Sequence, residues 1–134
     1  MSARALVVDA SSVIEVLIDP GDRGDAAAAR MATARVLAPK HLPVEVGNVL
    51  RRRRNAGLLE PGAAARAWED FWAMPVQLWP LRATRDRIWQ LGRNLSSYDA
   101  AYVALAELLD APLLTADARL ARSPGPDCVI ELVE

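Results

Sequence analysis

Short apolar segments alternate with helix-forming segments from one end of the chain to the other. The apolar segments are ALVV, RVLAP, VQLWPL, PLLTA and CVIELV, and each has the length of a strand rather than of a buried helix. Strands that are separated by helices pair in parallel, because a parallel neighbour requires a long crossover connection. The alternation therefore predicts an α/β fold around a mostly parallel sheet with right-handed crossovers.

The composition is that of a globular protein with one domain, which we place at residues 1–134. The apolar stretch near the N-terminus ends at Asp9, too soon for a signal peptide or a membrane span. We therefore expect a cytoplasmic protein without a membrane segment. A single cysteine, Cys128, excludes an internal disulfide, and a single histidine, His41, leaves no His/Cys cluster for zinc, so both are assigned structural roles.

Four acidic residues fall where the predicted strands end or where helices begin. Asp9 ends the first strand, and Asp117 follows PLLTA. Glu45 lies near the start of the helix after RVLAP, and Asp99 near the start of the helix before PLLTA. In an open parallel sheet, ligands bind in the crevice outside the carboxyl ends of the strands, where the strand order reverses. We therefore expect all four carboxylates at the same edge of the sheet.

Each of these acids, taken alone, also has a structural explanation. Asp9 and Asp117 could cap the helices that follow them, and Asp99 stands three residues after Ser96 in a pattern similar to a capping box. Glu45 could be a surface acid in the first turn of a helix. Capping does not require the acids to share one crevice, however, so their joint placement favours a site.

Four carboxylates in one crevice repel one another, and a hard divalent cation removes that repulsion. Oxygen ligands without histidine or cysteine favour Mg²⁺ or Mn²⁺ over zinc or copper. We expect Asp9 and Asp99 to contact the metal directly, and Glu45 and Asp117 to do so directly or through water. Such a site lowers the pKa of a bound water and orients it towards a phosphodiester.

Four segments, in this order, resemble the successive motifs of the PIN domain, and specifically of the VapC-like ribonuclease toxins of bacterial toxin–antitoxin modules: VVDASSVIEVL, PVEVGNVLRR, LSSYDAAYVALAELLDAPLLTAD and CVIEL. The resemblance implies a three-layer α/β/α domain with a central, mostly parallel sheet of four to five strands. It also implies hydrolysis of RNA, a homodimer, and a VapB-like antitoxin whose C-terminal segment obstructs the acidic crevice.

The resemblance also assigns roles to individual residues. The catalytic and metal-binding quartet of the family matches Asp9, Glu45, Asp99 and Asp117, of which Asp117 is the least secure as a direct ligand. The supporting polar positions match Ser11, Asn48 and Thr115. The spacing of Asn48 from Glu45 places both on one face of a helix.

The run RRRR at residues 51–54 is a candidate for contact with phosphates. Successive helical residues point in different directions, so only Arg52, which shares the face of Glu45, is the RNA-binding candidate. The other three arginines suit solvent or an acidic partner. Trp68 and Trp72 could stack on bases or form an apolar groove for a partner helix, but Phe71 beside them favours packing in the core or at a dimer interface.

Other enzymes also place an aspartate at the end of a parallel strand. A phosphoacceptor receiver domain would need a lysine after a late strand, whereas Lys40 is the only lysine. A haloacid-dehalogenase-type phosphatase would need an acid where Ser11 stands. Two alternatives stay open: a PIN nuclease of housekeeping RNA processing, and a non-catalytic RNA-binding or partner-binding PIN module. Retention of all four acids favours catalysis, and the compact chain without a second RNA-binding domain favours the toxin.

Overall fold

Strands and helices alternate along the chain as the sequence predicts, in a computed structural model that describes residues 3–134. The strands are β1 (Ala5–Val8), β2 (Arg35–Pro39), β3 (Val76–Trp79), β4 (Leu113–Thr115) and β5 (Ile130–Leu132). The helices are α1 (Ala10–Ile18), α2 (Asp22–Ala32), α3 (Leu42–Asn55), α4 (Pro61–Ala73), α5 (Arg85–Gln90), α6 (Ser97–Leu109) and α7 (Ala118–Arg122).

The five strands form one fully parallel sheet in the order β3-β2-β1-β4-β5. From β1 the chain moves outward to β2 and β3, and it then returns to the other side of β1 to form β4 and β5. The strand order therefore reverses between β1 and β4. The carboxyl ends of these two strands form the crevice in which an open parallel sheet binds its ligands.

The helices form two groups on the sheet. Helices α1, α2, α3 and α4 pack against one another, whereas α6 packs on β1, β2 and β4 and against α5. Helix α6 is the most buried helix, because residues 100–106 are all inaccessible or nearly so. This arrangement confirms the predicted α/β architecture. None of the helices in the described range has the length and apolar character that crossing a bilayer requires.

The sequence pattern of residues 82–94 predicts one continuous amphipathic helix, but the structure of this segment is interrupted. Helix α5 occupies only its centre, and 3₁₀ turns at Arg82–Thr84 and Leu91–Arg93 flank it. At its start the Thr84 hydroxyl donates to the Leu81 carbonyl, and near its end Gly92 has a low helix propensity. Both features weaken the regular α-helical hydrogen-bond pattern.

Candidate active site

Asp9 stands directly after β1 and is the N-cap of α1. Its Oδ1 atom accepts hydrogen bonds from the Ser12 backbone amide at 2.9 Å and from the Ser11 hydroxyl at 2.7 Å. The residue is only 4% exposed. The capping role considered for Asp9 is therefore real, and it fixes the orientation of the carboxylate at the end of the strand.

Thr115 connects Asp9 to the neighbouring strand. Its hydroxyl donates to Asp9 Oδ2 at 2.5 Å and accepts from the Asp117 backbone amide at 3.0 Å. The Ser11 hydroxyl accepts from the Ala116 amide at 2.8 Å. These contacts join the carboxyl ends of β1 and β4, so the two hydroxyl residues predicted as supporting positions both lie in the crevice.

Burial makes the charge on Asp9 costly. Desolvation raises the pKa of its carboxyl from 3.8 to about 6, although the hydrogen bonds from Thr115, Ser12 and Ser11 oppose that rise. The charge of Asp99 raises the pKa of Asp9 further. At neutral pH the carboxylate is therefore mostly ionised, and a nearby cation would stabilise it.

Asp99 lies in the first turn of α6, where its backbone amide donates to the Ser96 hydroxyl at 3.2 Å. Burial raises the pKa of Asp99, and the charges of Glu45 and Asp117 raise it further. The charge of Asp99 also raises the pKa of Asp9, so Asp99 interacts electrostatically with all three of the other acids. The structure brings the four predicted acids to one crevice, called the acidic crevice below.

Asp117 is the N-cap of α7, and its Oδ1 accepts from the Arg119 amide at 2.9 Å. The Arg119 guanidinium lies 3.6 Å from the same oxygen and is largely exposed. Arg23 donates to the carbonyl of Ala116, the residue before Asp117, at 3.3 Å. Two arginines therefore border the acids. Neither arginine is predicted from the sequence, and only the position of Arg119, two residues after Asp117, could have signalled it.

Glu45 lies in the first turn of α3, and its Oε1 atom is 3.4 Å from His41 Nε2. That oxygen is buried and has no hydrogen-bond partner. His41 was assigned a structural role from the sequence, although its spacing of four residues from Glu45 places the two side chains on one face of the helix. The geometry brings the histidine to the edge of the acidic crevice.

The donor set of the crevice fits a hard cation. Its potential ligands are carboxylate oxygens, and burial and mutual repulsion raise the pKa values of Asp9 and Asp99. Within residues 3–134, no three acidic, histidine or cysteine side chains converge closely enough to form a complete metal cage. Mg²⁺ suits such a loose arrangement, because it keeps several waters and takes only one or two direct carboxylates.

The remaining predicted residues lie on α3. Asn48 is exposed and forms no hydrogen bond to Glu45 in the part of the chain that the structure describes. It instead lines a groove of about 430 Å³ between α3 and α4, the α3–α4 groove, which is mainly apolar and has Arg51 and Arg54 at its margin. Arg52 is exposed on the same helix.

The tryptophans of α4 divide between the core and this groove. Trp68 packs against the core and lines the α3–α4 groove. Trp72 is 55% exposed and meets Trp68 edge to face at 5.5 Å between ring centroids. The predicted packing role therefore holds for Trp68, whereas most of Trp72 faces solvent.

Comparisons with known proteins agree with this arrangement. The family model of the PIN domain matches residues 6–125. The chain is 38% identical over 128 residues to Ribonuclease VapC12 of Mycobacterium tuberculosis, which covers 96% of this chain and 98% of that protein.

Two solved structures share the fold. The toxin VapC20 of M. tuberculosis, described as cleaving the sarcin-ricin loop, superposes with a TM-score of 0.65 at 18% identity and covers 87% of this chain and 92% of its own. VapBC2 of Rickettsia felis, bound to a DNA fragment from its promoter, superposes with a TM-score of 0.65 at 10% identity. The match covers 97% of this chain and 99% of that one.

Proposed function

This chain belongs to the PIN-domain family, and from that premise we propose that residues 1–134 form a single PIN domain that acts as an endoribonuclease. The curated relatives that it resembles along almost their whole length are named as VapC ribonucleases. In this proposal the protein is the toxin of a VapBC-type toxin–antitoxin module and works in the cytoplasm.

One observation carries the proposal. Asp9 and Asp99 come from different parts of the chain, yet at the carboxyl edge of the sheet the charge of Asp99 raises the pKa of the Asp9 carboxyl, and the charges of Glu45 and Asp117 raise the pKa of Asp99. Repulsion between a buried acid and a half-buried one opposes folding, and such perturbed acids in a crevice are typical of functional sites. Their position at the point where strand order reverses supports a catalytic role rather than capping alone.

The proposed cofactor is Mg²⁺ or Mn²⁺. Asp9 and Asp99 would hold it directly, and Glu45 and Asp117 would do so directly or through water. When bound, the ion supplies an activated water and offsets charge that builds on the phosphoryl oxygens. The oxygen-only donor set supports this choice of metal.

The residues of the chain would perform the other parts of the reaction. Ser11 and Thr115 hold both oxygens of Asp9 in one orientation, which keeps the carboxylate aligned at the crevice. Arg119 is exposed beside Asp117 and, with Arg52, is a candidate for contact with RNA phosphates. Hydrolysis would leave a 5′-phosphate and a 3′-hydroxyl, and it requires no covalent nucleophile.

The proposed protein partner is a VapB-like antitoxin. The VapBC2 complex supports the assignment of a partner of this type. The α3–α4 groove is apolar along Pro43, Gly47 and Trp68, and Arg51 and Arg54 flank it. This chemistry suits an amphipathic segment with acidic residues, so we place part of the antitoxin in the groove.

The proposal also includes a homodimer. Several large apolar side chains are exposed in the described chain, among them Leu58 at 78% and Trp89 at 87%. Apolar surface of this kind is available for contact between two copies. Light scattering of the purified protein would measure the mass, and a mass of one chain at micromolar concentration would contradict the dimer.

A growth experiment tests the toxin role. Expression of the protein alone should arrest bacterial growth, and expression of the Asp99→Asn variant at the same level should not. Co-expression of the product of the adjacent gene should restore growth. Unchanged growth with the active protein would favour a PIN nuclease of housekeeping RNA processing instead.

A further inference from the structure

A cluster of unpartnered polar atoms lies beside the acidic crevice. Among the described residues, the buried side-chain nitrogen and oxygen atoms without a hydrogen-bond partner are His41 Nδ1, His41 Nε2, Glu45 Oε1 and the Tyr102 hydroxyl. All of them belong to one group of touching side chains, because the His41 ring lies 4.7 Å from the Tyr102 ring and its Nε2 lies 3.4 Å from Glu45. Unpaired buried polar atoms are uncommon and require an explanation.

The His41 ring is held by its surroundings. The residue is the N-cap of α3, and its carbonyl accepts from the backbone amides of Val44 and Glu45. The rings of Tyr98 and Tyr102 lie against the imidazole with interplanar angles of 47° and 46°. Tyr102 is fully buried in α6, so the side of the ring that it covers cannot move into solvent.

A neutral imidazole has one N–H donor and one acceptor nitrogen. Glu45 Oε1 can only accept when the carboxylate is ionised, so the tautomer with hydrogen on Nε2 is the one that serves it. The distance of 3.4 Å is slightly longer than a usual N–H···O hydrogen bond, and neither atom has a hydrogen-bond partner in the described part of the chain. Closure of this one contact would partner two of the buried polar atoms.

We propose that His41 is a positioning residue that holds Glu45 Oε1 and thereby directs the second carboxylate oxygen, Oε2, into the acidic crevice. The inference rests on the proposed function, since it gives Glu45 a role towards the metal. His41 itself touches neither the metal nor the RNA. Partners of this kind fix the orientation of a ligand, and their loss typically weakens metal binding by about 10- to 100-fold.

The test measures binding of Mn²⁺ alone to the RNA-free protein, by calorimetry or electron paramagnetic resonance. His41→Phe keeps an aromatic ring but removes the donor, and it should weaken Mn²⁺ binding by about tenfold. His41→Phe should also lower kcat for RNA cleavage while KM changes little, because the substitution leaves the residues proposed to contact RNA unchanged. His41→Gln places an amide N–H near the position of Nε2 and should restore most of both losses.

A double variant separates positioning from general packing. If His41 acts through Glu45, the combined His41→Phe and Glu45→Gln variant binds Mn²⁺ no more weakly than Glu45→Gln alone. Losses that multiply in the double variant would overturn the proposal, as would a His41→Phe protein with wild-type Mn²⁺ affinity. If His41→Phe fails to fold, His41→Asn replaces it, because the asparagine amide lies near the position of Nδ1 rather than that of Nε2. Equal Mn²⁺ affinities of the His41→Asn and His41→Gln variants would then overturn the proposal.

Asp99→Asn distinguishes this inference from the proposed function. If Asp99→Asn leaves Mn²⁺ affinity unchanged, the metal site itself is wrong, and with it the proposed function. If Asp99→Asn weakens Mn²⁺ binding but His41→Phe does not, the site stands and only the positioning role of His41 fails.

Discussion

The Thr115 hydroxyl donates a hydrogen bond of 2.5 Å to Asp9 Oδ2, across 106 positions of sequence. The same hydroxyl accepts from the Asp117 amide at 3.0 Å. One fully buried side chain therefore orients the carboxylate of Asp9, the first predicted catalytic acid, and the backbone amide of Asp117, the last one. It also lowers the pKa that burial raises at Asp9.

Thr115→Val should weaken both stability and RNA cleavage. The valine has nearly the same shape but leaves Asp9 Oδ2 and the Asp117 amide without their buried partner, which costs about 1–3 kcal/mol. Thr115→Ser keeps the hydroxyl and serves as the matched control. Urea unfolding gives the free energy of each variant, and a valine variant as stable and active as the serine variant would contradict the role of this hydrogen bond.

The metal-free Asp9→Asn protein should be more stable than wild type above about pH 7. Burial raises the pKa of Asp9 in the folded state to about 6 from 3.8, so the folded protein binds this proton more tightly than the unfolded chain. The resulting stabilisation is complete below the unfolded value and is lost as the pH rises through the folded value. Removal of the charge should therefore gain about 1–3 kcal/mol at pH 7.5 and little near pH 4.

Urea unfolding in chelator between pH 4 and 8 measures this difference. Asp86→Asn is the control, because the Asp86 side chain is 88% exposed and the variant should show no such gain. A wild-type protein that is the more stable of the two at pH 7.5 would show that the charge on Asp9 does not oppose folding.

Mn²⁺ should stabilise the wild-type protein but not Asp9→Asn or Asp99→Asn. A ligand at a hundredfold excess over its Kd adds about 3 kcal/mol to the free energy of unfolding, provided that it binds only the folded state. Thermal unfolding with increasing Mn²⁺ measures the effect, and Asp86→Asn should respond as wild type does. Equal shifts in all four proteins would place the metal elsewhere.

A charge in the α3–α4 groove should weaken binding of the antitoxin without lowering the nuclease activity. Ala65 lines the groove on α4, so Ala65→Glu buries a carboxylate against the antitoxin and adds repulsion to its acidic residues. Ala28→Glu makes the same change at an exposed position of α2, outside the groove, and is the matched control. Affinity for the product of the adjacent gene should fall at least about tenfold for Ala65→Glu only. Equal affinities of the two variants would exclude the groove as the binding site.

The sequence predicted the elements and their parallel pairing well, because short apolar runs and helical segments differ in length and period. It also predicted that Asp9, Glu45, Asp99 and Asp117 share one edge of the sheet, because the ends of parallel strands meet there. Ser96 caps α6 as its spacing suggested. These features follow from the local sequence pattern and from the general geometry of parallel sheets, so the sequence is sufficient to predict them.

Features that depend on packing between distant elements could not be predicted. The packing of His41 against Tyr98 and Tyr102 requires α3 and α6 to meet, which no local pattern shows. Asn48 shares a helical face with Glu45 by spacing, yet the approach of α4 makes it part of the α3–α4 groove. The broken helix at residues 82–94 also departs from its local pattern.

Cleavage of bulk RNA by the purified protein is the decisive measurement of the proposed metal-dependent ribonuclease activity. We expect cleavage with Mg²⁺ or Mn²⁺, none with excess chelator, and a loss of about 100-fold or more in Asp9→Asn and in Asp99→Asn. Asp86→Asn should cleave at the wild-type rate. Cleavage that persists in chelator, or in both crevice variants, would contradict the assignment of these acids as a metal-dependent ribonuclease site.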